Sequence, residues 1–191
     1  MRSMLVVIAG PAGTGKTTLA DNLAEVIGVP HIDFDTVGAE LLAIARADSP
    51  DRAVGDLLRE LREARYQALA DAVRSALRAH PVVIASAPFT AHMADPDMWQ
   101  RWLRDTNPSG GTEDVVLMWL DLDPGLRWGR LAERGSDRDG QVLAAGPERH
   151  AADLPVVPCR VLNAAGNPAT LLAAAIEALR GPLGDSIGQS V

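Results

Sequence analysis

The 191-residue sequence predicts an α/β fold: a parallel sheet of five strands, covered by helices on both faces as a three-layer sandwich. Three observations lead there. Short apolar runs rich in β-branched residues are nearly continuous rather than alternating, as strands buried on both faces require. Longer segments with a helical period separate them. A glycine-rich octapeptide, Gly10-Pro11-Ala12-Gly13-Thr14-Gly15-Lys16-Thr17, joins the first strand to the first helix.

Met4–Ala9 is the first strand. Thr17 to Ile27 follows as an amphipathic helix with Leu19, Leu23 and Val26 at i, i+4 and i+7. Gly28-Val29-Pro30 ends it and turns into a second strand, His31–Asp35, with acids at its close. Val37 to Arg46 reads as a helix. Ser49-Pro50-Asp51 opens a long helical tract to about Ala79, whose apolar stripe is Val54, Leu57, Leu58, Leu61, Ala64, Ala68 and Val73. Its arginines and glutamates are expected on a solvated face.

Pro81–Ser86 is the third strand, and an irregular loop to Asp95-Pro96 leads into a helix through Trp99, Trp102 and Leu103. Asn107–Gly111 is a break. Asp114–Leu120 is the fourth strand, and Asp123-Pro124-Gly125 starts a helix that ends at Arg134. Residues 135–158 are polar, rich in glycine and proline and without period, a loop or lid. Arg160–Leu162 is the fifth strand and Pro168–Leu179 a closing helix. One domain is expected over 1–181, with 182–191 a flexible tail.

The octapeptide fits G-x-x-x-x-G-K-[ST], the phosphate-cradling P-loop, in its required setting of strand, loop and helix. Glycines let successive N–H groups point inward as an anion nest, and the helix N-terminus adds its dipole. In such a loop Gly10 to Gly15 wrap the phosphates, joined by Thr18 at the helix start. Lys16 reaches the β- and γ-phosphates of ATP, and the Thr17 hydroxyl binds Mg²⁺. Lys16 is also the only lysine among 18 basic residues, so a random placement would put it here once in 18 trials. A compact ammonium does a job here that a planar guanidinium fills poorly.

Composition removes several classes. A net charge of −7 argues against nucleic acid or an anionic membrane as a main partner. The single cysteine, Cys159, excludes an internal disulfide, and no Cys/His cluster has zinc spacing. The first apolar run is too short for a signal-peptide core or a membrane span, so a cytoplasmic protein is expected.

Ligands of parallel sheets bind beyond the carboxyl ends of the strands, which ranks the remaining candidates. Phosphoryl transfer to a hydroxyl needs the acceptor in line with the γ-phosphate and an acid near its proton. Asp33 and Asp35 follow strand two, and alternate residues point to opposite sides, so their jobs differ. Asp35 is assigned to the acceptor hydroxyl and Asp33 to the Mg²⁺ shell through water; a helix N-cap is the alternative for either. Arg127, Arg130 and Arg134 share a helix face, and Arg138 follows in the lid beside Asp139. Arg130, Arg134 and Arg138 are assigned to the charge on the transferring phosphoryl group, under a lid that excludes water. Asn163 opens the turn to Pro168, which either wraps the adenine or simply starts a helix. Ser86 and Asp121 are further candidates for the metal shell, and Phe89 for the acceptor. Trp99 and Trp102 read as core, His31 and Cys159 as packing residues, and His92 and His150 as exposed.

With these residues the chain resembles the small P-loop metabolite kinases: the shikimate and gluconate kinases and the related antibiotic phosphotransferases. The resemblance covers residues 4–180. It rests on Gly10–Thr17, on Asp33-x-Asp35, and on Arg130-x-x-x-Arg134-x-x-x-Arg138-Asp139. It implies strand order 2-3-1-4-5, ATP with Mg²⁺ and a closing lid. Shikimate kinases carry a glycine triplet after strand three; here Ser86-Ala87-Pro88-Phe89 stands instead. Nucleoside monophosphate kinases hold the acceptor phosphate with arginines that are absent from Thr36–Ala45 and Ala87–Ala91. An uncharged hydroxyl acceptor, such as a sugar, polyol or antibiotic, is therefore expected. A GTP-dependent switch is excluded, because its N-K-x-D needs a second lysine. A P-loop ATPase and a non-catalytic nucleotide-binding module stay open.

Overall fold

The computed structural model describes residues 3–106, 114–136, 139, 143 and 154–183. Five parallel strands form one sheet: β1 (Met4–Ala9), β2 (His31–Asp33), β3 (Val82–Ala87), β4 (Val115–Asp121) and β5 (Arg160–Asn163), in the order β2-β3-β1-β4-β5. Between them run α1 (Lys16–Ile27), α2 (Phe34–Val37), α3 (Ala39–Asp48), α4 (Val54–Glu60), α5 (Arg62–Ala79), α6 (Thr90–Ala94), α7 (Pro96–Thr106) and α8 (Pro124–Arg134); α9 (Pro168–Leu183) follows β5.

β1 is central and entirely buried, which its unbroken apolar sequence anticipates. Side-chain alternation divides it between two cores. Leu5, Val7 and Ala9 pack with Phe34, Tyr66, Leu69, Phe89, Trp102 and their neighbours; Val6 and Ile8 pack with Leu19, Leu23 and Leu179. The helices thus form layers on both faces, as the strand pattern demands. Register pairs Ala9 with Ala87 and Trp119, and Asp33 with Ser86. The carboxyl ends of β1, β2 and β3 therefore open on one edge of the sheet.

Several local expectations change. β2 stops at Asp33 instead of Asp35, because the Asp33 carboxylate accepts the N–H groups of Asp35 and Thr36 and caps α2. Asp35 is consequently a helix residue, and strand alternation does not govern where it points. The long tract breaks at Leu61 into α4 and α5, which resets the stripe: Tyr66, Leu69, Ala70, Val73 and Leu77 are buried while Ala64 is exposed. Val26 lies on the outer side of α1, 58% exposed. The loop after β3 contains α6, and the closing helix α9 runs to Leu183 rather than Leu179. Most of the expected lid, with His150, and residues 184–191 of the tail lie outside the described residues.

Candidate active site

Three glycines let the loop after β1 turn back on itself: Gly10, Gly13 and Gly15 all have positive φ. Gly10 is also required for space, and Gly13 is closely confined. A Cβ on Gly10 would stand 2.8 Å from the Leu120 carbonyl oxygen, and one on Gly13 would stand 3.0 Å from that of Arg127. The Gly10 N–H donates to Pro88 O at 3.2 Å, tying the loop to the end of β3. Inside the loop, Thr14 Oγ1 and Lys16 Nζ both donate to Pro11 O, at 3.0 and 2.8 Å. Gly15 is the N-cap of α1 and offers no side-chain cap. The first-turn N–H groups of α1 are thus left to an anion, with the Lys16 ammonium spanning the loop beside them.

Burial pushes the Lys16 amine down to about 8, against the opposing pull of Asp35 first and Asp33 after it; Arg134 and Arg127 add to the fall. An ammonium that burial makes costly to keep charged gains most when a polyanion arrives.

Asp33 stands beside this loop. Its Oδ2 accepts from Thr17 Oγ1 at 3.2 Å and from Ser86 Oγ at 2.9 Å, while Oδ1 holds the α2 cap. Burial alone would raise its pKa. The Thr36 N–H and the Ser86 and Thr17 hydroxyls outweigh burial and hold the carboxyl below its usual range. The chain continues outward: His31 Nε2 is 2.8 Å from Ser86 Oγ, and His31 Nδ1 is 2.7 Å from Asp21 Oδ1. His31 is thus a polar link to the surface rather than a packing residue. Thr17, Ser86 and Asp33 present hard oxygen donors, the type Mg²⁺ selects. Among the described residues no cluster of three or more His, Cys, Asp or Glu forms a self-contained metal cage.

Opposite the loop stands a residue the sequence reading left on the solvated face. Arg65, on α5, is 7% exposed and donates from Nη2 to Asp35 Oδ1 at 2.6 Å. Its guanidinium lies over the Phe34 ring, 4.1 Å from the centroid. Gly38 makes the room: a Cβ there would come within 2.5 Å of Arg65 Nε, although the Gly38 φ of −87° suits any residue. The signal was present in the spacing. Arg65 precedes Leu69, Val73 and Leu77 in steps of four, a cation in register with the buried stripe of α5.

A cavity of about 410 Å³ brings these groups together, lined by Ala12, Gly13 and Gly15–Thr18 of the loop and by Asp33, Asp35, Arg65, Ser86, Arg130 and Arg134. Arg134 pairs with the buried Asp139 through Nε at 2.8 Å and also through Nη2. Arg130 Nη2 donates to Ala164 O at 3.1 Å, on the far side of the loop. There a second cavity of about 260 Å³ is bounded by Gly13–Gly15, Thr18, Arg130, Ala164 and Gly166. Asn163 is not on its wall; its Oδ1 accepts from Ala165 N at 2.9 Å and shapes the turn. Arg127 is buried against the loop instead of facing the cavity with its two neighbours. Arg138 lies outside the described residues.

Two further expectations are corrected. Phe89 is fully buried, at a φ of 50°, with its N–H donated to Tyr66 Oη at 2.9 Å. It meets Trp99, Trp102 and His92 edge-on and cannot reach an acceptor. His92 is 4% exposed, not on the surface, and burial foremost brings its pKa down to about 4. Cys159 packs against the same core, as expected.

A glycine loop with one lysine, at the carboxyl edge of a parallel sheet ordered β2-β3-β1-β4-β5, defines the P-loop kinase-like fold. The chain belongs to the AAA domain family, whose model matches residues 5–152. Solved structures agree on the fold. A sugar kinase from a Janibacter species has 22% identity and a TM-score of 0.66, covering 97% of this chain and 98% of its own. A gluconokinase from Sinorhizobium meliloti has 18% identity and a TM-score of 0.60, with complete cover of both chains. A shikimate kinase from Aquifex aeolicus has 12% identity and a TM-score of 0.55, covering 95% and 99%. No curated protein matches the sequence. No helix among the described residues is long and apolar enough to cross a membrane.

Proposed function

We propose that this protein is an ATP-dependent kinase that transfers the γ-phosphoryl group to a hydroxyl of a small uncharged molecule. One observation carries the reading: Lys16, Thr17 and the loop N–H groups share a single cavity with Asp35, so an anion cradle faces an acid. A carboxylate held across from the cradle by a buried arginine suits an acceptor hydroxyl, whose proton must leave as the new bond forms. The three kinases of like fold support the same class.

In the transfer the acceptor oxygen bonds the γ-phosphorus as that phosphorus leaves the bridging oxygen of ADP. The hydroxyl proton passes to the Asp35 carboxylate, which Arg65 holds in position. The phosphate chain lies along the loop, with Lys16 on the β- and γ-phosphates. The adenine lies in the cavity beside Arg130 and the turn after β5, bounded by backbone at Ala164 and Gly166. Arg134, and Arg138 from the lid, neutralise the equatorial oxygens. Mg²⁺, when bound, neutralises phosphate charge; Thr17 Oγ1 would hold it directly and Asp33 through water, with Ser86 orienting Asp33. Solubility in the cytoplasm completes the reading.

The test is acceptor-stimulated ADP formation with a panel of sugars, polyols and aminoglycoside- or phenicol-type antibiotics. Stimulation that disappears in Lys16→Ala, and in Asp35→Ala with ATP binding retained, is expected. Brisk ADP release with no acceptor, unchanged by any of them, would assign the protein to the ATPases instead.

A further inference from the structure

Beyond Asp35 and Arg65 the main cavity does not end. A recess of about 230 Å³ opens on the other side of the pair, lined by Gly38, Ala39, Leu42, Ala43 and Leu58, with Arg46 among them. Asp35, Arg65 and Leu58 line both spaces, so the recess continues the acceptor side of the cavity. An apolar cavity of about 150 Å³ is enough to hold a benzene ring. The recess therefore has room for one ring or a short alkyl chain.

The wall comes largely from α3. None of the ten residues of α3 is buried, although it carries Leu41, Leu42 and Ile44. Leu42 and Leu58 are half-buried from opposite sides of the recess. A plain sugar or polyol would place hydroxyls against Ala39, Leu42, Ala43 and Leu58, with no donor or acceptor side chain among them to replace water.

We propose that the acceptor is amphipathic: its reactive hydroxyl lies at Asp35, and an aromatic or alkyl arm passes the Asp35–Arg65 pair to lie between α3 and α4. The proposal rests on the phosphotransferase reading and sharpens its substrate class. The arm takes no part in the bond exchange. It orients the hydroxyl by burying apolar surface, and Arg46 marks the end at which a polar substituent regains solvent.

Glycerol and methyl glucoside, each compared with its benzyl and hexyl ether, test this. The arm-bearing acceptors should show at least tenfold higher kcat/KM. Ala43→Trp, which fills the recess from an exposed helix position, should raise their KM about tenfold and so erase their advantage over glycerol and methyl glucoside. Equal kcat/KM with and without the arm, or an arm preference indifferent to Ala43→Trp, overturns the recess while leaving phosphoryl transfer intact. Should no acceptor turn over at all, calorimetric titration with benzyl glucoside decides separately. Binding that Ala43→Trp weakens tenfold upholds the recess and sinks only the kinase reading; no binding sinks both.

Discussion

Arg65 Nη2 and Asp35 Oδ1 are 2.6 Å apart, although thirty positions separate them in the chain. The pair fixes the carboxylate on which the proposed reaction depends, and it also lines both the main cavity and the recess beyond it. Arg65→Ala should therefore lower kcat by about a hundredfold, the scale on which small misplacements act, while ATP binding is retained. Arg65→Lys should not restore it, since an ammonium cannot both stack a plane on the Phe34 ring and donate from its edge to Asp35. Steady-state kinetics alongside nucleotide titration checks both; a fully active lysine variant would remove Arg65 from the positioning role.

Gly38→Ala is the more pointed test of the same pair. Its backbone angles suit alanine, yet the new methyl would stand 2.5 Å from Arg65 Nε. We expect a folded protein, with unchanged far-UV circular dichroism, in which kcat falls in the manner of Arg65→Ala. Normal turnover would mean that the guanidinium can shift without moving Asp35.

Lys16 predicts a pH dependence. Burial lowers its folded pKa from 10.5 to about 8, so in the nucleotide-free protein the amine loses its proton as pH rises through that value. A polyphosphate binds the ammonium. ATP affinity should then fall toward tenfold per pH unit above about 8, with proton uptake on binding visible by calorimetry in two buffers of different ionisation enthalpy. The stability sign is opposite: from about 8 to 10.5 the unfolded chain holds the extra proton, so the contribution of Lys16 to stability rises with pH in that window. Affinity unchanged up to pH 9.5 contradicts the placement of Lys16.

Glycines separate into those the fold needs and those it does not. Gly10→Ala combines a φ of +147° with a contact 2.8 Å from the Leu120 carbonyl oxygen. It should cost roughly 2 kcal/mol or more, a fall in Tm of about 5 °C or more. Gly129, within α8, meets nothing within 4 Å. Gly129→Ala should stabilise by about 0.5–1 kcal/mol through helix propensity alone. Thermal melts of the two variants give the comparison.

Sequence alone determined what depends on local pattern. Unbroken apolar runs alternating with helical segments pointed to a parallel, doubly covered sheet, because helices packed on both faces bury both sides of each strand. The glycines and the lone lysine defined the anion loop, since only that backbone supplies inward N–H groups at a helix start. The resemblance carried by those motifs supplied the strand order, and the sheet has that order. Tertiary structure decided what depends on distance through space. Asp33 became a helix cap bound to Thr17 and Ser86, because β3 brings Ser86 alongside it. Phe89 and His92 entered the core, because α5 and α7 close over the loop after β3. Arg65, one arginine among many in a helical tract, acquired its place only when a break at Leu61 turned it inward beneath Gly38, opposite Asp35. Such a residue is half legible in sequence: its four-residue step to Leu69, Val73 and Leu77 turns it inward, but only the fold brings it to Asp35, with which it shares no segment and no motif.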